Sequence, residues 1–325
     1  MTKGIQIIET GGVDKLKYVD IPDHKLEAGE VRIRHTAIGV NFIDIYYRTG
    51  MYRTALPSIL GVEAAGVVSD IGAGVENFKV GDRVAYGTST TLLGAYSTYR
   101  NMPQQFLVTI PPYVDDATAA ALMLKGMTAH MLCRRVITLQ QGWNILVHAA
   151  AGGVGTLVSQ WAKYLGCNVI GTVGADEKKN WAFQNGCSHV INYTTEDFVA
   201  ATRNATGGRG VEIAYDGVGK NTFQKSLDCI APFGLMCSFG QSSGRVDPVD
   251  ILQLSRGSLF MTRPILGQYK ADKNELQISA IEIFEGIKQN FIDPKITHKI
   301  PLQEAAEAHR LLEGRKTMGS IVLIP

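Results

Sequence analysis

No apolar run in this 325-residue chain approaches the roughly 18 residues that cross a bilayer, and the opening MTKGIQIIETGG lacks the apolar stretch of a secretory signal. Paired cysteines are missing too. Cys133, Cys167, Cys187, Cys229 and Cys237 stand singly, with no CxxC spacing, and four of them lie in or beside apolar segments. Such a pattern predicts buried free thiols in a reducing compartment, and a soluble cytoplasmic protein is expected. Seven histidines are scattered without ligand spacing. Neither sign of charge is in excess, with 32 Lys and Arg against 30 Asp and Glu and no basic stripe, which removes the electrostatic footprint of a nucleic-acid binder. Internal repeats and low-complexity segments are also absent.

What is present divides in two. The length favours two domains, or one threaded through another. Residues 1–110 read as short strands punctuated by turns, among them GIQIIETGG, VRIRHTAIGV, GVEAAGVVSDIGAGV and VGDRVAYG. From Asp115 the pattern changes: DDATAAALMLKGMTAHMLCRRV has helical periodicity behind an acidic first turn. Strand and helix then alternate: 144–148 with 154–165, 168–173 with 176–185, 189–193 with 196–204, and 212–216 with 221–230, before strands at 235–239 and 258–266. That alternation predicts a parallel sheet covered on both faces. The tail, 275–325, closes in GSIVLIP, which needs a sheet to join and is expected to return to the N-terminal domain.

Between the first strand and helix of this run lies HAAAGGVG, 148–155. In the register G-x-G-x-x-G its positions are Ala150, Gly152 and Gly155, with alanine for the first glycine. A degenerate glycine motif alone is weak, but here it opens a series of β-α units, which points to a dinucleotide on the helix N-terminus. An Asp or Glu at the end of the second strand would grip the 2′-hydroxyl of NAD. That end reads Thr172-Val173-Gly174, with no acid. Glycine leaves room for a 2′-phosphate and Lys178 follows as a point charge, so NADP is favoured. Asp176 and Glu177 argue the other way, since either could bend back toward the ribose, and DEKK also reads as a solvated first turn.

The segments AIGVNFIDIYYRTGMY (37–52), LGVEAAGVV (60–68), VGDRVAYG (80–87), LKGMTAHMLC (124–133), HAAAGGVG, VINY (190–193), GLMCSFGQSSG (234–244), TRPILGQY (262–269) and GSIVLIP together resemble the zinc-free, zeta-crystallin-like quinone oxidoreductases of the medium-chain dehydrogenase/reductase superfamily. The resemblance spans the chain. It implies an α/β fold in which a doubly wound Rossmann sheet (126–266) is inserted into a GroES-like β-rich catalytic domain (1–125 and 267–325). It implies NADPH as cofactor in a cleft between the domains, with the pyrophosphate at Gly152, Gly153, Val154 and Gly155, and the 2′-phosphate at Gly174, Lys178, Tyr193 and Arg315. Phe239, Gly240 and Gln241 then lie near the nicotinamide, and Asn41, Phe42, Ile43, Asp44, Tyr46 and Thr128 complete the contacts. A homodimer through the last Rossmann strands, around 258–266, is implied as well. His130 and Met131 replace aromatic residues of bacterial relatives; His130 is read as packing the helix.

Zinc-dependent members carry Cys in the segment matching GVNFID and His-Glu in that matching GVE. Asn41 and Val62-Glu63 stand there instead, and an amide and an isopropyl group cannot supply thiolate and imidazole. A metal-free site is expected. Without a Lewis acid the substrate must accept hydride readily, as a quinone does. Donors are available in Asn41, Tyr46, Arg48 and Tyr52; Asn41, Tyr46 and Tyr52 are the residues expected to position the substrate. No obligatory acid or base stands out, so no steep pH limb from an essential group is expected. Tyr269 and Lys273 have the Tyr-x-x-x-Lys spacing of short-chain dehydrogenases but fall in a polar loop after the last Rossmann strand, a coincidence. Two alternatives stay open: reduction of an enone or 2-alkenal double bond, and a non-enzymatic NADPH- or RNA-binding role, against which the balanced charge counts.

Overall fold

The structure, a computed structural model, describes residues 2–87 and 92–325. It falls into two compact units, residues 1–128 with 266–325, and residues 129–265.

Among the described residues the first part of the chain supplies eight strands to the first unit: β1 (Thr2–Ile7), β2 (Lys17–Ile21), β3 (Glu30–Gly39), β4 (Ser58–Ile59), β5 (Ala64–Ile71), β6 (Arg83–Tyr86), β7 (Tyr99–Pro103) and β8 (Val108–Thr109). Alternation in β3, EVRIRHTAIG, sends Val31 and Ile33 into a core they share with Ile5, Leu60, Tyr96 and Leu107. Each such side chain contributes about 1.5–3 kcal/mol on burial. Three helices accompany the strands, α1 (Phe42–Arg48), α2 (Asp116–Ala120) and α3 (Lys125–His130). The sequence predicts one helix across 115–136, whereas α2 stops at Ala120, α3 restarts at Lys125, and a wide π-turn follows over Met131–Val136. The break has a cause: the backbone N–H of Leu124 donates to Glu63 Oε1 at 2.6 Å, so a side chain from β5's approach takes a bond the helix would have used.

The second unit is a six-stranded, wholly parallel sheet in the order β11-β10-β9-β12-β13-β14. Its strands are β9 (Asn144–Val147), β10 (Asn168–Val173), β11 (His189–Asn192), β12 (Val211–Asp216), β13 (Ile230–Ser238) and β14 (Phe260–Thr262), and its helices α4 (Gly153–Tyr164), α5 (Lys179–Gln184), α6 (Phe198–Ala205) and α7 (Phe223–Ser226). This is the doubly wound order, with its reversal between β9 and β12. The expected helix over 221–230 is shorter than its pattern suggests, because β13 begins at Ile230.

The chain then adds α8 (Leu266–Tyr269), α9 (Lys273–Lys288), β15 (Ile296–Pro301), α10 (Ala305–Glu313) and β16 (Ser320–Ile324) to the first unit. Tyr269 ends α8 and Lys273 opens α9, so they sit on separate helices rather than in one loop. GSIVLIP becomes β16, parallel to β15 and antiparallel to β3, with Val322 opposite Gly39.

Candidate active site

In a parallel sheet all carboxyl ends lie along one edge, so the loops after β9, β10, β11, β12 and β13 share it. After β9 the turn into α4 carries its left-handed residue at Ala149 (φ 52°), one place before the Ala150 that replaces the fingerprint's first glycine. β10 passes close by at a glycine: a Cβ built on Gly171 would stand 2.8 Å from that of Ala150. Gly155 has no alternative, since a Cβ there would stand 2.3 Å from the Ala149 carbonyl oxygen. Gly152 caps α4 without a side-chain bond. The first-turn N–H groups of Gly153 and Val154 thus stand at the positive end of the helix, a setting that suits an anion.

After β10, a Cβ on Gly174 would stand 2.9 Å from the Tyr193 hydroxyl, so the glycine lets the phenol close over the strand end. Lys178 is half-buried in the turn that follows. Asp176, the argument for NAD, is engaged elsewhere: its Oδ1 accepts from Asn192 Nδ2 at 3.1 Å and pairs with Lys179 Nζ at 3.2 Å. The Asn192 bond, then that from Lys179, holds the Asp176 carboxyl below its ordinary range. The donor set here fits a phosphate better than a free 2′-hydroxyl.

β12 ends in the buried Asp216, whose Oδ1 accepts the N–H groups of Val218 (2.7 Å) and Gly219 (3.0 Å) and whose main-chain carbonyl accepts those of Phe239 (2.9 Å) and Gly240 (3.3 Å). The Phe239 ring lies where a Cβ on Gly217 would be, 2.9 Å away, and the Gln241 carbonyl accepts from Gly244. Arg263 Nη1 fastens this loop, donating to the carbonyls of Ser238 (3.2 Å) and Gly240 (2.9 Å). Nothing in the sequence TRPILGQY singles out Arg263; only the fold reveals that β14 ends beside the β13 loop. His130 packs edge-on against Trp161 at 5.4 Å, and Met131 is buried, which agrees with a packing role.

The first unit holds the other group. Asn41 is the N-cap of α1. Its Nδ2 donates to Glu63 Oε2 (2.8 Å), which also accepts from Lys125 Nζ (3.1 Å), while Oε1 takes the Leu124 N–H. Both oxygens of this wholly buried carboxylate are spent. Among the described residues no group of three or more His, Cys, Asp or Glu side chains could hold a metal ion. The five thiols are free and buried, and burial pushes Cys237 up to about 12. An amide, a valine and an occupied carboxylate do not fit zinc.

Tyr46 and Tyr52 meet edge to face at 5.2 Å, flanked by Tyr47 and Phe42, and Ile43 packs on the first unit's core. Thr128 Oγ1 donates back to the Leu124 carbonyl within its helix. Arg315 takes a left-handed turn after α10 (φ 53°) and belongs to the first unit, whereas Gly174, Lys178 and Tyr193 belong to the second. Two of the expected residues have their side chains engaged within the first unit. Arg48, read as a substrate donor, is buried and donates to Glu313, His309 and the Gly11 carbonyl. Asp44, placed among the cofactor contacts by resemblance, has no exposed surface, and its carboxyl is used on Asn41 and Tyr96.

Residues 27–112 match the family described as alcohol dehydrogenase GroES-like domain, and residues 153–282 that described as zinc-binding dehydrogenase. The quinone oxidoreductase of Pseudomonas aeruginosa is 46% identical over 100% of both chains. A 2-haloacrylate reductase from Burkholderia is 42% identical over 100% of this chain and 99% of its own. The crystal structure of Escherichia coli quinone oxidoreductase complexed with NADPH superposes with a TM-score of 0.97 at 42% identity, covering 100% of each chain.

Proposed function

The chain belongs to the quinone oxidoreductases of the medium-chain dehydrogenase/reductase superfamily, and from that premise we propose that it reduces quinones with NADPH, without a metal. The observation that carries the cofactor choice is the end of β10, where glycine replaces an acid, Tyr193 closes over it, and Asp176 is held by Asn192 and Lys179. Bound NADPH supplies a hydride.

The chain's residues do the rest by placement. Gly153 and Val154 present main-chain N–H groups to the pyrophosphate, and Lys178, Tyr193 and Arg315 serve the 2′-phosphate. Arg263 steadies Phe239, Gly240 and Gln241 beside the nicotinamide. Asn41, Tyr46 and Tyr52 orient the quinone, whose oxygens gain charge and need only donors and water. The test is an initial-rate assay of a quinone panel and an enone panel, each with NADPH and NADH, with products identified.

A second reading is reduction of an activated alkene, favoured by the likeness to 2-haloacrylate reductase. A saturated acid or carbonyl product, rather than a hydroquinone, would select it. We also propose a homodimer. β14 lies at the sheet edge and exposes Phe260 and Met261, an apolar edge that pairing with a second copy would cover. A cytoplasmic setting fits the five free thiols, and among the described residues no helix is long and apolar enough to cross a membrane.

A further inference from the structure

α1 is held at both ends by one buried chain of hydrogen bonds whose direction can be read. Arg48 Nη1 lies 3.1 Å from His309 Nδ1. A guanidinium only donates, so that nitrogen accepts and the ring proton sits on Nε2. Nε2 therefore donates to the Tyr96 hydroxyl at 3.1 Å, and Tyr96 donates to Asp44 Oδ2 at 3.0 Å. Oδ2 also accepts the Asn41 backbone N–H at 2.8 Å. Oδ1, buried, has no partner among the described residues.

The charges around it do not balance. Lys125 pairs with Glu63 at 3.1 Å and Arg48 with Glu313 at 3.0 Å, which leaves Asp44 as the surplus carboxyl. Tyr96 and Tyr47 also face it and stay neutral, burial raising both. Burial, then the Arg48 charge, lowers His309 to about 3, so it adds no cation. Desolvation is the largest influence on Asp44, outweighing its hydrogen bonds and Lys125, and raises it to about 7. The acid proton belongs on Oδ1, because Oδ2 already takes two donors, and a neutral buried hydroxyl without an acceptor costs less than a charged buried oxygen without a donor.

We propose that Asp44 is a positioning residue, holding α1 and Tyr46 in place only as the uncharged acid, so that quinone turnover falls once it ionises. The proposal rests on the quinone reading. When Asp44 is charged, no donor meets Oδ1. The first turn of α1 must then open to water or draw Lys125 from Glu63, and either move displaces the Tyr46–Tyr52 pair.

The test measures kcat and KM for 1,4-benzoquinone at saturating NADPH from about pH 5.5 to 9, together with the infrared carbonyl band of a protonated carboxylic acid. Wild type should lose kcat/KM above pH 7, approaching about tenfold per pH unit, mostly through KM. Its acid band should be present at about pH 6 and gone at about pH 8.5. Asp44→Asn cannot ionise, so its activity should sit below the wild-type acid plateau but stay flat, and the band should be missing. Asp44→Ala should lose far more. Tyr96→Phe removes a donor that favours the carboxylate, so its limb should move to higher pH; a limb moving down would overturn the proposal. So would an unchanged limb in Asp44→Asn, or a wild type without the band. Should Asp44→Asn not fold, the Tyr96→Phe limb and the wild-type band decide. A wild type that turns over no quinone at any pH would overturn the quinone reading and the positioning role, while the band would still report the charge state of Asp44.

Discussion

The two units build their candidate groups from different materials. The second uses main chain: a Cβ on Gly155 would strike the backbone, Gly174 sits under the Tyr193 hydroxyl, and the candidate anion site is a helix terminus. The first uses buried polar side chains, the ion pair of Glu63 with Lys125 and the hydrogen-bonded chain from Arg48 through His309 and Tyr96 to Asp44. A main-chain site fails when something is added. A network of buried polar side chains fails when one member is taken away.

That contrast can be broken from either side. Lys125→Met should have the largest effect, because it leaves Glu63 charged and buried without its cation, costing about 3–5 kcal/mol of stability. Adding Glu63→Gln should recover part of that, as read by urea unfolding. Gly155→Ala should cost about 1–3 kcal/mol by overpacking against the Ala149 carbonyl, with NADPH affinity falling further than stability in parallel fluorescence titrations. Arg315→Ala removes a charge-assisted contact of about 1.5–3 kcal/mol, so NADPH should weaken about tenfold or more while NADH barely changes. Equal losses for both cofactors would remove Arg315 from the phosphate site.

Smaller effects sharpen the comparison through pH. Burial lowers His35 to about 4 and His309 to about 3, from 6.5. The unfolded chain then binds more protons between those values and 6.5, so stability falls as pH drops through that window, by up to about 1.4 kcal/mol per pH unit for each group. Asp44 acts in the opposite sense. Raised from 3.8 to about 7, it contributes stability present below pH 4 and lost as pH rises through 7. Asp44→Asn should therefore steepen the acid loss and His309→Gln should soften it, as read from denaturant midpoints at about pH 5 and 7.

The same contrast explains what the sequence disclosed. The parallel sheet, the glycine turn and the missing acid after β10 are local patterns, readable within a few residues. Asp44 gives no such signal. Its partner Tyr96, and His309 behind Tyr96, are contributed by distant parts of the chain, and His309 reads as one more helical residue until α10 packs. Arg48 has the same limit: as a donor in an aromatic segment it reads as available, and only the fold shows Glu313 taking it. Local chemistry also misled at 115–136, where the helix breaks because Glu63 takes the Leu124 N–H.

The central claim is metal-free, NADPH-dependent quinone reduction. Its most direct test is the initial rate of 1,4-benzoquinone reduction by protein dialysed against a chelator, with NADPH and NADH in parallel and the product identified. The account predicts hydroquinone, a kcat/KM for NADPH at least about tenfold above that for NADH, and no loss on chelation. Equal use of NADH, or activity that leaves with a removed zinc, would contradict it.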